Sequence, residues 1–115
     1  MNNREFGNKG EDLACEYLIK NGYEIIERNK HFSKFCEIDI IAKYKNKMVF
    51  VEVKTRKTDS FGLPMEAITR TKFNNIKTGV MNYISENKIN NYQIDVIGII
   101  LQPKLKIEHL KNVSL

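Results

Sequence analysis

The chain has 115 residues, of which 42% are hydrophobic, and a formal net charge of +5 at pH 7. This length fits one domain over residues 1–115, and no stretch approaches the ~18 consecutive apolar residues that indicate a membrane span. The polar N-terminal segment MNNREFGNKGED lacks the apolar run of a signal peptide, so we expect a cytoplasmic protein with no membrane partner.

The cysteines and histidines do not form a recognisable metal motif. Cys15 and Cys36 stand far apart without a CxxC, which argues against a structural zinc site or a disulfide framework. His31 and His109 are equally isolated, and we expect ordinary surface or edge residues. The basic balance favours a polyanion such as nucleic acid, but 15 lysines against 4 arginines also fit the codon bias of an AT-rich genome. Charge alone therefore decides little.

The first predicted element is a helix near residues 8–21. Asn8 and Glu11 have the spacing of a capping box at its start. Gly22 stands where a glycine commonly follows the last residue of a helix. Glu11 has a sufficient role near the helix N-terminus, where the helix dipole favours an acid. The same residue can instead lean toward the sheet, and the sequence leaves both alternatives open.

Three strands follow the first helix, over residues 23–29, 37–44 and 48–56. Because they are neighbours in sequence, we expect them to form an antiparallel meander. A loop containing TDSFGLP comes next and closes at Pro64, a residue suited to a helix start.

A second helix is predicted over residues 65–86, followed by strands over 92–101 and 105–110. The fourth strand is nearly all apolar and therefore central, whereas the fifth belongs at an edge. The helix crosses over so that strand four lies parallel to strand three. The sequence thus predicts an α/β domain of order αβββαββ, with a mixed sheet of about five strands and two flanking helices. The core face of the second helix comprises Ile68, Phe73, Ile76, Val80, Tyr83 and Ile84.

Charged residues interrupt the second and third strands. Side chains alternate along a strand, so Phe50, Glu52 and Lys54 share one face of strand three. In strand two, the same rule sets Glu37, Asp39 and Ile41 on one face and Ile38 and Ile40 on the other. Since Phe50 and Ile41 make these charged faces partly apolar, we expect partial cover, which makes charges there costly.

The turn between these strands decides which charges meet. A turn at Lys45–Asn46 sets Asp39 opposite Glu52, whereas a turn at Asn46–Lys47 sets it opposite Lys54. In the first register the two acidic side chains have Cβ atoms ~4.5–5.5 Å apart. Such a pair is tolerated when a divalent cation lies between the carboxylates, and Mg²⁺ suits one or two carboxylates plus water. The alternative is a solvated sheet face that carries charges.

Several motifs together resemble the YraN family of uncharacterised bacterial proteins: GEDLACEYLIKNGYEIIERN, EIDIIAK, VFVEVKTR, EAITRTKFNNIKTGVMNYI and IDVIGI. The resemblance covers nearly the whole chain. That family is similar to the restriction-endonuclease-like PD-(D/E)xK superfamily, which includes archaeal Holliday-junction resolvases. The chain departs from the family pattern at Cys36, where glycine is usual, and at Gln93, where arginine is usual.

The resemblance implies a catalytic set of Glu11, Asp39, Glu52 and Lys54. Asp39 and Glu52 would bind Mg²⁺ or Mn²⁺, Lys54 would orient the attacking water or stabilise the phosphate, and Glu11 would assist. Basic residues near the site would contact the phosphates of DNA without reading its sequence. These residues are Arg56, Lys57, Arg70, Lys72 and Lys77.

These expectations lead to one main hypothesis and two alternatives. The main hypothesis is a metal-dependent endonuclease that acts on DNA. The similarity to Holliday-junction resolvases suggests branched or damaged DNA as its substrate. The alternatives are a non-catalytic nucleic-acid-binding module of the same fold and a protein-interaction subunit. Nucleases that cut two strands often act as homodimers, and the loop over residues 57–64 is a candidate interface.

Overall fold

The structure is a computed structural model that describes residues 3–34, 36–58 and 68–114. Its elements follow the order αβββαββ, as the sequence predicts. They are α1 (Asn3–Lys20), β1 (Glu24–Ser33), β2 (Cys36–Tyr44), β3 (Lys47–Arg56), α2 (Arg70–Glu86), β4 (Tyr92–Ile100) and β5 (Lys106–Leu110).

The five strands form one mixed sheet in the order β1-β2-β3-β4-β5. β3 and β4 run parallel, and the other neighbouring pairs are antiparallel. The predicted meander, the parallel pair and the edge position of the last strand are therefore confirmed. The apolar β4 lies between β3 and β5, which explains why it carries so few polar side chains.

One hydrophobic layer covers each face of the sheet. On the α1 side, Ala14 and Leu18 pack against Ile40, Val49 and Val51. On the α2 side, the core cluster contains Ile41, Phe50, Phe73, Ile76 and Val80. A fully buried side chain of this kind contributes ~1.5–3 kcal/mol, so the two layers hold both helices firmly against the sheet.

The first helix is longer at its start than the sequence suggests. It begins at Asn3, so Asn8 lies inside the helix and the predicted capping box is wrong. The sequence before Asn8 contains no proline, so nothing in it prevents this extension. The predicted end is confirmed: Gly22 adopts φ 90°, and the Tyr23 N–H donates to the Leu18 carbonyl.

The second helix starts later than predicted. Thr69 has extended backbone angles, and its hydroxyl accepts a hydrogen bond from the Lys72 N–H, so the helix begins at Arg70. Pro64 and most of the candidate dimer loop lie outside the described residues. Five of the six predicted core positions lie on α2 itself, and Ile68 is buried just before it. In the part of the chain that the structure describes, neither helix is long and apolar enough to cross a membrane.

Candidate active site

The turn between β2 and β3 selects the first of the two predicted registers. Lys45 adopts φ 54°, and Tyr44 pairs with Lys47 across the turn. The ladder continues to the pair of Ile40 with Val51. One residue further, the same register sets Asp39 opposite Glu52.

Beyond that last pair, a side chain replaces the backbone partner. The Asp39 Oδ2 accepts a hydrogen bond of 2.8 Å from the Val53 N–H. The predicted alternation is wrong at Ile38, which packs in the α2-side cluster with Ile41, whereas Ile40 packs on the α1 side. Because pairing with β3 stops at Ile40, this end of β2 no longer follows the pleat of its neighbour.

Glu52 is a buried acid on the central strand. Only 5% of the residue is exposed, and its Oε1 lies 2.7 Å from the Lys72 Nζ. Sequence reasoning assigned Lys72 to DNA phosphates, but in the structure its ammonium group contacts Glu52. The contact joins β3 to the first turn of α2.

The charges of this cluster influence one another strongly. Burial, followed by the negative charge of Glu52, raises the pKa of Asp39 from 3.8 to about 8, although the Val53 hydrogen bond acts to lower it. Burial acts to lower the pKa of Lys72, but the hydrogen bond and charge of Glu52 outweigh it and raise that pKa. Asp39 and Glu52 are thus two neighbouring acids with little access to water, and the positive charge of Lys72 acts on both.

Glu11 belongs to the same cavity. It leans toward the sheet and lines this cavity with Asp39 and Glu52. The helix α1 lies very close to β3 at this point, since a Cβ atom on Gly10 would lie 1.7 Å from the Thr55 Oγ1. Its Oε1 is buried and has no hydrogen-bond partner among the described residues. The nearest cation, Arg28, lies 3.6 Å away, which is too long for a hydrogen bond. Burial is the main cause that raises the pKa of Glu11.

All four predicted catalytic residues line one cavity of about 380 Å³. A second cavity of about 260 Å³ adjoins the same acid pair from the α2 side. Asp39, Glu52 and Lys72 line both cavities, so the pair is accessible from two directions. Among the described residues, no three acidic, histidine or cysteine side chains form a ready-made metal cluster. A cation here would have two carboxylates and would need water for its other ligands.

The remaining predicted DNA-binding residues are spread over the surface. Lys57 lines a cavity of about 590 Å³ beside Leu101 and Leu105, and Lys77 lines another of about 240 Å³ beside Tyr92. Arg70 is exposed at the first position of α2. Arg56 is the last residue of β3. The structure therefore brings the acids and Lys54 together but does not gather the basic residues around them.

Cys36 fills space beside the second cavity. Its Sγ donates a hydrogen bond of 2.8 Å to the Asn75 carbonyl, and a Cβ atom on Gly79 would lie only 2.6 Å from this sulfur. Burial raises the pKa of the thiol, so Cys36 is a poor nucleophile. As predicted, both cysteines are free, and both are buried.

Sequence reasoning missed a buried polar network between α1 and the last two strands. His109 was expected at the surface or an edge, and it lies on the edge strand β5, but only 5% of its side chain is exposed. Its Nε2 lies 2.7 Å from the Asp95 Oδ2, and its Nδ1 lies 2.9 Å from the Tyr17 hydroxyl. The Gln93 Nε2 donates a hydrogen bond of 2.8 Å to the Asp95 Oδ1. A single acid inside the apolar strand IDVIGII was the signal that could have revealed this network.

Comparison with known proteins places the chain in a family. The model of the Uncharacterised protein family UPF0102 matches residues 10–99. A UPF0102 protein of Caldicellulosiruptor saccharolyticus is 46% identical over 117 residues, which cover 97% of this chain and 98% of that protein. Relatives in Syntrophomonas wolfei and Clostridioides difficile are 41% and 42% identical over 113 and 114 residues. These matches cover 96% and 97% of this chain, and 97% and 98% of the two relatives. The chain therefore belongs to the uncharacterised UPF0102 (YraN) family, as its sequence motifs predict.

Proposed function

We propose that the protein is a Mg²⁺- or Mn²⁺-dependent endonuclease that hydrolyses phosphodiester bonds in DNA. The observation that carries this proposal is the neighbouring pair of half-buried Asp39 and buried Glu52, which shares one cavity with Glu11 and Lys54. A structural role alone gives little reason to bury two neighbouring acids at a place where the pKa of one rises to about 8. Branched or damaged DNA is the substrate class that the resemblance to Holliday-junction resolvases suggests.

The residues present fit a divalent cation. Asp39 and Glu52 would hold it, together with the backbone carbonyl of Val53. The buried Oε1 of Glu11, which has the Arg28 guanidinium at 3.6 Å, supports this assignment, since a carboxylate oxygen that is short of hydrogen bonds suits a water molecule bound to a cation. The chemistry that such a cation supplies when bound is polarisation of the phosphate and a lower pKa of bound water.

The side chains around the acid pair have separate roles. Lys54 would orient the attacking water or stabilise the negative charge that grows on the phosphate. Glu11 would accept hydrogen bonds from water beside the acid pair. Further away, positively charged residues would hold the DNA backbone and position it without reading bases. These are Arg56, Lys57, Arg70 and Lys77, whereas Lys72 contacts Glu52 directly.

A cleavage assay tests this proposal. Single-stranded, duplex, flap and four-way DNA would each be incubated with Mg²⁺, with Mn²⁺ and with EDTA. We expect metal-dependent cleavage by the parent and its loss in Asp39→Asn and Glu52→Gln. Glu11→Gln should reduce the rate about 10- to 100-fold. Its matched control is Glu16→Gln, an exposed acid on the same helix, which should leave the rate unchanged.

Two results would contradict the proposal. The first is cleavage by Asp39→Asn at the parental rate, which would indicate a contaminating nuclease. The second is a folded parent that cleaves none of the four substrates with either metal. If that protein still binds DNA, and binding weakens steeply as salt rises, a non-catalytic binding module becomes the better description. If it does not bind DNA even at low salt, the interaction subunit does.

A further inference from the structure

We propose that Lys72 is an internal counter-ion for Glu52, which leaves that carboxylate when a divalent metal ion binds and then contacts a DNA phosphate. This inference rests on the proposed function and concerns how the same site is regulated. It starts from the distance of 2.7 Å between the Lys72 Nζ and the Glu52 Oε1. Lys72 would thus belong to two alternative states of the site.

The two partners differ in their freedom to move. Glu52 is fixed on the central strand, and only 6% of its side chain is exposed. Lys72 reaches it from the surface of α2, and 45% of its side chain is exposed. A long, flexible lysine at the surface can turn toward water at little cost, whereas a buried carboxylate cannot follow it. If the pair opens, the ammonium group is the part that leaves.

A metal ion and this ammonium group would compete for the same carboxylate. Mg²⁺ binds oxygen at about 2.0–2.1 Å, so an ion on the Glu52 Oε1 would lie within roughly 5 Å of the Lys72 Nζ. At that distance in a partly buried site the two positive charges repel strongly. Asp39, Glu52 and Lys72 also line the same two cavities, so the competitors share one space.

The release of Lys72 would link metal binding to DNA binding. Lys72 is the third residue of α2, and Arg70, two residues earlier, is exposed at the start of the same helix. Once free of Glu52, the ammonium group would add a second positive charge to the first turn of α2. Because thermodynamic coupling is reciprocal, DNA would in turn strengthen metal binding.

Calorimetric titration of the DNA-free protein with Mn²⁺ tests the inference without measuring activity. Lys72→Met keeps most of the side-chain length but removes the charge. We expect it to bind Mn²⁺ about tenfold more tightly than the parent, within the usual range of coupling between sites. The matched control is Lys20→Met, which changes an exposed lysine at the end of α1 that has no role in the site. Its affinity for Mn²⁺ should equal that of the parent.

A second variant keeps the test valid if Lys72→Met does not fold. Removing the partner of a buried acid lowers the stability of the metal-free protein, so circular dichroism should first confirm that Lys72→Met is folded. Lys72→Gln keeps a hydrogen-bond donor for Glu52 without the charge, and it should also bind Mn²⁺ more tightly. Equal or weaker binding by both folded variants would overturn the inference.

The outcomes separate this inference from the endonuclease proposal. If the parent binds Mn²⁺, Asp39→Asn does not, and the Lys72 variants match the parent, only the counter-ion role of Lys72 fails. If the Lys72 variants bind more tightly but no DNA is cleaved, Lys72 is the counter-ion of a metal site that is not a nuclease. A parent that binds no Mn²⁺ refutes both.

Discussion

The backbone N–H of Val53 donates its hydrogen bond to the carboxylate of Asp39, 2.8 Å away, and not to a backbone carbonyl of β2. The hydrogen bond fixes Asp39 at the place where the β2–β3 ladder ends. It also holds the acid beside Glu52 in a buried region, where negative charge is costly. The expected pH dependence of stability and the expected response to Mn²⁺ originate from this arrangement.

The stability of the metal-free protein should fall as the pH rises from about 4 to about 8. The pKa of Asp39 is raised from 3.8 to about 8 in the folded protein, so folding retains a proton that the unfolded chain releases. The stabilisation from this proton is complete below about pH 4 and disappears as the pH passes 8. Urea unfolding in EDTA at pH 5.5, 7 and 8.5 measures the slope. Asp39→Asn should flatten it, and an unchanged slope in this variant would disprove the assignment.

Millimolar Mn²⁺ should stabilise the parent protein at pH 8. Ligand at 100 times its dissociation constant adds about 2.7 kcal/mol, which should raise the melting temperature by several degrees in a domain of this size. Asp39→Asn should fold at least as well as the parent without metal, because it removes a repelling charge, whereas Glu52→Gln also loses the ion pair with Lys72 and should gain no stability. Both variants should lose the shift. Thermal unfolding with and without Mn²⁺ measures both effects. Strong destabilisation by Asp39→Asn and no metal shift in the parent would instead indicate a structural network.

Gly10→Ala should destabilise the protein by about 1–3 kcal/mol or more, because the new methyl group would lie 1.7 Å from the Thr55 Oγ1. The matched control is Gly7→Ala in the same helix, where no described atom lies within 4 Å of the added Cβ. Alanine favours a helix over glycine by roughly 0.5–1 kcal/mol, so Gly7→Ala should be neutral or stabilising. Urea unfolding compares the two variants, and equal stabilities would show that α1 does not pack on β3 so closely.

The Asp95 network should support stability and not cleavage. Asp95 is fully buried and accepts hydrogen bonds from the Gln93 side chain and the Asn112 N–H, at 2.8 and 2.9 Å. Asp95→Ala leaves these two donors and the His109 Nε2 without their shared acceptor, so we expect a loss of about 3 kcal/mol or more. Tyr17→Phe removes one hydroxyl at the margin of the network and should cost only about 1 kcal/mol. A Tyr17→Phe variant of parental stability that lost cleavage would contradict a purely structural role.

The local part of this arrangement could be predicted from the sequence. Strand alternation reduced the partners of Asp39 to Glu52 or Lys54, because it depends only on neighbouring residues, and the structure selects Glu52 through the turn at Lys45–Asn46. The face of the sheet on which Ile38 lies was predicted wrongly, since alternation fails where the ladder between β2 and β3 ends. Lys72 lies 20 residues from Glu52 on another element, and no local pattern indicates that their side chains meet. The burial of His109 likewise depends on the Tyr17 side chain of α1, which lies 92 residues away in sequence.

Cys36 and Gly79 occupy what is effectively one volume. The sulfur of Cys36 fills the space that a side chain at position 79 would need, and the Phe32 ring closes it, 2.9 Å from the same hypothetical Cβ. The two positions are therefore not independent: cysteine at position 36 requires a bare backbone at position 79. Glycine at the first position would remove the closer of the two obstacles to a methyl group at the second and leave only the Phe32 ring to shift. Substitutions at these two sites should thus be epistatic, so that α2 and the entry to β2 must change together through evolution.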